Sequence, residues 1–381
     1  MIKQYLLSPG PTPIPNEVQL AMAQTMIHHR TPEFAAVLEE ARAGLKPLFG
    51  TANDVIIFAS SGTGAMEAAV ANLFSPGDKV VVVNGGKFGE RWLRICRAYG
   101  LDVVEIPVEW GTAVEVSAVE QALKANPDTK GVLIQASETS TTTLHPVREI
   151  AELTRGDGPL LLVDGVTAVG VLSVPMDEWG IDVLVTGSQK AMMLPPGLAF
   201  IGLNDRAWQR AKEPASPRFY FDLESERKGQ AKGSTAYTPA VSLVFGLCAA
   251  LKLMREEGLE RVYARHDRMA RATRAAVTAM GLKLLSPDNP SPAATGFYVP
   301  DGSDGDVLLD YLRAHMGITL AEGQDHLSGK VIRIAHVGHM GAFDVIVAIS
   351  ALEMAFRKFG LPVTLGKGVA AAQEILMEAL D

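Results

Sequence analysis

The sequence predicts an α/β protein, with a large, mostly parallel sheet domain sandwiched by helices and a smaller C-terminal α+β domain. Three observations predict this. Short apolar runs alternate with amphipathic helical stretches through roughly the first 245 residues, the order expected of a parallel sheet. Several runs are continuously apolar rather than alternating, which suits strands buried on both faces. Beyond that point long helical patterns, a Pro-rich link and isolated short strands replace the alternation.

The strand candidates are Val55–Ala59, Lys79–Val83, Val103–Pro107, Gly131–Gln135, Leu160–Asp164, Val183–Gly187 and Leu198–Gly202. Between them helical spacing marks Glu33–Phe49, Gly64–Leu73, Phe88–Tyr99, Val116–Asn126 and Pro146–Leu153. Helices are then expected over Val241–Glu257 and Leu259–Met280, the second with Arg265, Asp267, Arg268, Arg271 and Arg274 along one side. The link 286–296 leads to strands Gly296–Val299 and Val331–Ala335, helices Asp304–Met316 and Ala342–Phe359, and an amphipathic tail over 361–381. This divides the chain into an N-terminal segment, 1–15, a large domain, 16–256, and a small domain, 257–381.

The 381 residues are 48% hydrophobic and 20% charged, which excludes a disordered or collagen-like chain. Lys and Arg number 35 against 43 Asp and Glu, a net charge of -8 that argues against nucleic acid or anionic membrane as main partner. The two cysteines, Cys96 and Cys248, offer neither a disulfide scaffold nor a Cys-ligated metal site and suit a reducing compartment. Prolines arrive too early in the first residues for a signal peptide, and Asp164 and Pro175 break the longest apolar stretch. A soluble cytoplasmic protein is expected.

Three places carry chemistry. Lys190 follows a buried strand through Thr186-Gly-Ser-Gln and precedes an apolar run. Desolvation there favours the neutral, nucleophilic amine needed for a Schiff base; on residue type alone, a loop lysine is more often simply solvated. Asp164 ends the strand Leu160–Asp164, where ligands bind in parallel sheets and where a carboxylate can pair with a protonated ring nitrogen. Asp also caps turns, so Asp164 gains weight only beside Lys190. Ser60-Ser-Gly-Thr-Gly64 sits at a strand-to-helix turn, offering backbone N–H donors to a phosphate or an ordinary N-cap.

Phosphate cradle, ring-nitrogen acid and Schiff-base lysine, in that order, describe a pyridoxal phosphate site. The chain resembles the class V, fold-type I aminotransferases, within them the alanine–glyoxylate, serine–glyoxylate and serine–pyruvate group. Leu7-Ser-Pro-Gly-Pro-Thr-Pro, His29-Arg-Thr-Pro-Glu-Phe34, Ser61-Gly-Thr-Gly-Ala-Met-Glu67, Gly85-Gly-Lys-Phe-Gly-Glu-Arg91 and Ser137-Glu-Thr-Ser-Thr141 carry the resemblance. So do Asp164-Gly-Val, Gly187-Ser-Gln-Lys190, Thr235-Ala-Tyr-Thr-Pro239, Gly323-Gln-Asp-His-Leu-Ser328 and Lys330-Val-Ile-Arg333.

The resemblance implies roles. Lys190 forms the Schiff base with pyridoxal 5′-phosphate and shuttles the proton at Cα, while Asp164 keeps the pyridinium nitrogen protonated. Ser61, Gly62, Thr63 and Gln189 hold the phosphate, and Thr139 meets the ring oxygen. Phe88 lies over the ring, although a core Phe at a helix start reads equally well. Arg333 clamps the substrate carboxylate with its planar fork, and Gly10 borders the substrate. Even without the resemblance, an Arg between Ile332 and Ile334 wants a partner.

A homodimer with shared active sites is implied, in which Thr235, Tyr237 or Thr238 reaches the neighbouring subunit's phosphate. Two departures stand out: Ser140-Thr-Thr-Thr143 where relatives often read Ser-Thr-Gly, and the spacing of Thr235-Ala-Tyr-Thr-Pro239.

The expected reaction moves an amino group from alanine or serine to glyoxylate or pyruvate by a ping-pong route. The alternatives are 2-aminoethylphosphonate or ureidoglycine transamination, or a lyase or desulfurase. A desulfurase needs a mobile-loop cysteine, and both cysteines lie in helical patterns. A non-enzymatic partner subunit would not need both Lys190 and Asp164. His28, His29 and Arg30 read as a surface turn, and His336 and His339 lack the set that would complete a metal site, so no metal is expected. The 14 methionines read as core filler.

Overall fold

A computed structural model of the chain describes residues 2–379. Seven strands form the large sheet: β1 (Val55–Phe58), β2 (Lys79–Asn84), β3 (Asp102–Pro107), β4 (Gly131–Gln135), β5 (Leu160–Asp164), β6 (Val183–Gly187) and β7 (Ala199–Leu203). Their spatial order is β1-β7-β6-β5-β4-β2-β3, parallel throughout except for β7, which opposes both neighbours. Alternate residues pack on the two faces of this sheet. Val55, Ile57, Val81, Val83, Val132, Ile134, Leu161 and Val163 pack on one face. Ile56, Phe58, Val80, Val82, Leu133, Leu162, Val183 and Val185 pack on the other. Burial on both faces is why these strands read as unbroken apolar runs. The edge strand β3 is more open, as its Asp102 and Glu105 suggest.

Helices cover the sheet where the spacing places them. Pro32–Phe49 starts on a Thr31 cap and a first-turn proline and stops at Gly50, whose φ of 57° is left-handed. A Cβ on Gly50 would also lie 2.5 Å from Pro175 Cα, so the stop needs glycine on two counts. The helix Gly62–Leu73 begins two residues earlier than its apolar pattern, so Gly62 and Thr63 already belong to its first turn. Short helices at Asn16–Met22, Met176–Trp179, Asp205–Arg210 and Leu223–Gln230 show too few turns to register as a period. Two of them carry readable caps, with Asn204 accepting from Ala207 N–H and Asp222 from Ser225 N–H.

A second core gathers the helices Leu259–Ala279, Ala342–Lys358 and Lys367–Leu376 with the antiparallel strands Ala294–Tyr298 and Val331–Ala335. The stretch expected as one helix over 304–316 divides into Gly305–Tyr311 and a wider π turn, Leu312–Met316. In the tail the helix is followed by a 3₁₀ turn over Met377–Ala379, and the last two residues of the expected tail helix lie outside the described residues. The N-terminus joins this core: Tyr5–Leu6 pairs in parallel with Ile318–Thr319, and Leu7 is buried in it. Among the described residues no helix is long and apolar enough to cross a membrane.

Candidate active site

Asp164 ends β5 and Gly187 ends the neighbouring β6, Asp164 standing opposite Val185. Both chains therefore leave the sheet at its carboxyl edge, where parallel sheets bind ligands. After β6 the turn is set by the Ser188 hydroxyl, which donates to Pro195 O at 2.7 Å and accepts from Leu198 N–H at 3.1 Å. That brings Lys190 under the N-terminal segment. Its ammonium donates to Pro9 O at 2.6 Å, and Thr12 Oγ1 donates to Lys190 O at 3.0 Å. Gly10 has φ 141°, and a Cβ there would overlap Lys190 Nζ. Burial, with the Arg333 charge nearby, brings the Lys190 pKa down to about 8, against the opposing pull of Asp164.

Asp164 is only 3% exposed. Its Oδ1 accepts from Val166 N–H at 2.8 Å, so the turn cap that its residue type suggests is made. Burial pushes its carboxyl up to about 6, with the Val166 N–H and the charges of Arg91 and Lys190 pulling back.

Gln189 and the first helix turn meet above Gly187. A Cβ on Gly187 would stand 3.1 Å from Gln189 Oε1 and 3.3 Å from Gly62 N. Gln189 Oε1 is buried without a hydrogen-bond partner, and the Ser61 side chain leaves the helix start uncapped. The uncapped N–H groups at the start of this 12-residue helix are what an anionic group would use, whereas Gln189 Oε1, an acceptor, calls for a donor. Thr63 Oγ1 accepts from Arg91 Nη1 at 3.2 Å, and the Arg91 guanidinium lies 4.9 Å from the Phe88 ring centre. Arg91, the last residue of the Gly85–Arg91 motif, therefore joins the site, four residues from Lys87 on one helix face, although no role for it is legible in the sequence.

Arg333 is 6% exposed in the middle of its strand. The partner that its apolar surroundings demand is backbone: Nε and Nη2 donate to Glu322 O at 3.0 and 2.8 Å, and Nη1 to Thr139 O at 2.8 Å. Burial lowers its pKa to about 10, the charges of Glu138 and Glu322 working the other way. The Thr139 hydroxyl bonds the Thr167 hydroxyl at 2.7 Å, and Thr167 in turn donates to Ser137 O at 3.1 Å. In that chain of donors Thr139 presents an acceptor, not a proton, to the site.

The Thr-rich departure has a structural counterpart. Thr142 takes φ 56° in the turn between Ser137–Glu138 and Thr143–Leu144, a conformation uncommon for a β-branched residue. Its side chain compensates by accepting Gly296 N–H at 3.2 Å, and its carbonyl accepts Ser291 N–H at 2.8 Å.

The segment around Thr235 and Thr238 bonds mainly within itself and to Glu226. Thr235 Oγ1 donates to Tyr237 O, and Ala236 N–H donates to Glu226 at 3.1 Å. Tyr237 stacks on Tyr220 at 5.1 Å. Among the described residues no hydrogen bond joins Thr235 or Thr238 to Lys190, Asp164 or Arg333.

A half-buried lysine and a buried carboxylate at neighbouring strand ends, an uncapped helix start and a buried arginine thus gather on a doubly covered parallel sheet. The family model of class-V aminotransferases matches residues 4–340, and the chain belongs to that family. It is an aminotransferase.

The chain is 42% identical to the soluble hydrogenase small subunit of Synechococcus sp. (strain PCC 6716), over 99% of each chain. It is 39% identical to the L-aspartate–glyoxylate aminotransferase of Paracoccus denitrificans (strain Pd 1222), over 96% of this chain and 94% of that one. The pyridoxamine–pyruvate aminotransferase structure from Mesorhizobium loti superposes with a TM-score of 0.94 at 31% identity, covering 100% of this chain and 98% of that one.

Proposed function

We propose that this aminotransferase uses pyridoxal 5′-phosphate to move the amino group of a small amino acid, alanine or serine, to glyoxylate or pyruvate in a ping-pong cycle. The observation that carries the reading is Lys190: a lysine held between Pro9 O and Gly10, its proton affinity lowered by burial, one strand from Asp164. The residues fit the cofactor. The uncapped helix start at Ser61, Gly62 and Thr63, with Gln189 beside it, suits its phosphate, Asp164 its ring nitrogen, and Phe88 its ring face. Bound there, the cofactor supplies an electron sink at the substrate Cα.

Lys190 then takes and returns the proton at Cα, which a group with pKa near 8 can do at neutral pH. Asp164 holds a proton at the ring nitrogen by its negative charge. Arg333, already oriented by Glu322 O and Thr139 O, receives the substrate carboxylate. The Pro9–Gly10 backbone stands against Lys190.

Two copies share their sites in this reading, Thr235 or Thr238 of one reaching the phosphate of the other. The exposure of Leu20, Met26 and Phe219 supports it. The two free cysteines suit a cytoplasmic setting. A panel of alanine, serine, aspartate and glutamate against glyoxylate and pyruvate tests the substrate choice. Aspartate is the decisive competitor, since one relative is named for it; the highest kcat/KM with aspartate or glutamate would overturn the small-donor assignment.

A further inference from the structure

Arg333 takes its acceptors from two separate elements. Glu322 O belongs to the strand Ala321–Glu322, which pairs with the Arg333 strand, and Thr139 O lies just beyond β4 of the large sheet. The chain between Glu322 and Lys330 is a short excursion tied at both ends, Gly323 N–H donating to Val331 O at 2.7 Å and Lys330 N–H to Leu327 O at 3.1 Å. Its tip, Asp325–Leu327, is a 3₁₀ turn in which Asp325 takes φ 49°, a left-handed conformation that Asp and Asn tolerate better than most residues.

That turn reaches across to the large sheet in two places. Asp325 Oδ2 accepts from Lys87 Nζ at 2.8 Å, and Lys87 also pairs with Glu90 on its own helix. The His326 ring stands 4.5 Å from that of Trp110, which follows β3 and packs against Leu285, Leu327 and Val331. Lys87 opens the helix Lys87–Ala98, and this helix start is fixed from the sheet side: the buried Glu138 carboxylate accepts the N–H groups of Phe88 and Gly89 at 3.1 and 3.0 Å. Lys87 therefore grips Asp325 from a settled backbone.

We propose that Asp325 is a positioning residue for substrate binding: held by Lys87, it fastens the segment that carries the Glu322 acceptor to the helix that carries Phe88, and so sets the angle at which Arg333 meets a carboxylate. This rests on Arg333 as the carboxylate clamp. A guanidinium held by carbonyls on two elements points where their relative placement lets it, and a small shift of either carbonyl turns the fork away from its ligand. The Lys87–Asp325 pair is partly exposed and adds little to folding. Its effect falls on how the two elements sit against each other, which is what the fork senses.

The test is calorimetric titration of the purified holoenzyme with propionate, a carboxylate without an amino group, for wild type, Asp325→Asn, Lys87→Met and the double variant. Each single variant should weaken binding about two- to fivefold, the range an exposed ion pair allows. The double variant should lose no more, because either change breaks the same contact. Melting temperatures should stay at the wild-type value, since Asn accepts the Asp325 backbone conformation. A second readout is the fluorescence of Trp110, separated from the other three tryptophans by a Trp110→Phe control. In Asp325→Asn its emission should move to longer wavelength as His326 draws away, and return on propionate binding, because a contact that favours binding is favoured by it in turn. Unchanged propionate affinity in Asp325→Asn, with Arg333→Lys binding weakly, overturns the proposal and leaves the pair as a surface contact. Additive losses in the double variant overturn it too, since Lys87 and Asp325 would then act separately. Arg333→Lys binding propionate as well as wild type would instead overturn the clamp.

Discussion

Lys190 and Pro9 stand 181 positions apart, and the lysine ammonium donates to the Pro9 carbonyl at 2.6 Å. A neutral carbonyl can hold the ammonium without adding the charge that would raise its proton affinity, as a carboxylate at that distance would. The lowered proton affinity of the amine comes from burial and the Arg333 charge, which this neutral acceptor does not cancel as a carboxylate would. The segment carrying Pro9 is anchored in the second core through Leu7, so lysine environment and small-domain packing are coupled.

Lys190→Ala should abolish covalent cofactor attachment and nearly all turnover. Borohydride reduction followed by peptide mass spectrometry should find the cofactor on Lys190 in wild type and nowhere in the variant. Loss of a general acid–base alone is worth about 10²–10⁴-fold, so turnover within tenfold of wild type would remove Lys190 from the mechanism.

Gly10→Ala probes the close approach. At φ 141° an L side chain is strained, roughly 1–3 kcal/mol, and its Cβ would displace Lys190 Nζ. Turnover and cofactor affinity should fall much further than melting temperature. A variant with wild-type kinetics would show that the lysine does not react from this position.

Asp164→Asn separates catalysis from stability. In the cofactor-free protein the folded-state pKa is raised to about 6 from 3.8. The folded chain then binds this proton more tightly than the unfolded one, so the group opposes folding above pH 6. The opposition fades as pH falls from about 6 toward 4, amounting to at most ~3 kcal/mol. Asn lacks that slope, so the variant should match or exceed wild-type melting temperature at pH 8 while turnover collapses. Glu138 acts in the same direction in both proteins, which makes the difference between the two melting curves over pH the quantity to read. A variant that melts far lower at pH 8 and turns over normally would make Asp164 a structural cap.

Arg333→Lys should raise KM for every donor and acceptor without reordering them. Lysine keeps the charge but cannot span Glu322 O, Thr139 O and a substrate carboxylate together. Losing a buried charge-assisted contact costs about 2–5 kcal/mol, or at least tenfold in kcat/KM. A change confined to one donor would place Arg333 at the side-chain end of the pocket instead.

The sequence by itself determined the large sheet and its two most telling groups. Buried strands need unbroken apolar runs, and a lone Lys or Asp at the end of such a run stands out against them, as Lys190 and Asp164 do. Local chemistry also marks Ser60–Gly64 as a strand-to-helix turn, although the helix starts two residues before its apolar pattern. The tertiary structure decided what depends on distant partners. It reversed β7, whose apolar pattern is the same in either direction, and it folded Tyr5–Leu7 into the second core. It satisfied Arg333 with two carbonyls, groups that every residue carries and that no sequence pattern marks. It also placed Glu138 between Phe88 and Arg333. A carboxylate's partners here are backbone N–H groups about 50 positions before it, and only the closed chain brings them to 3.1 and 3.0 Å.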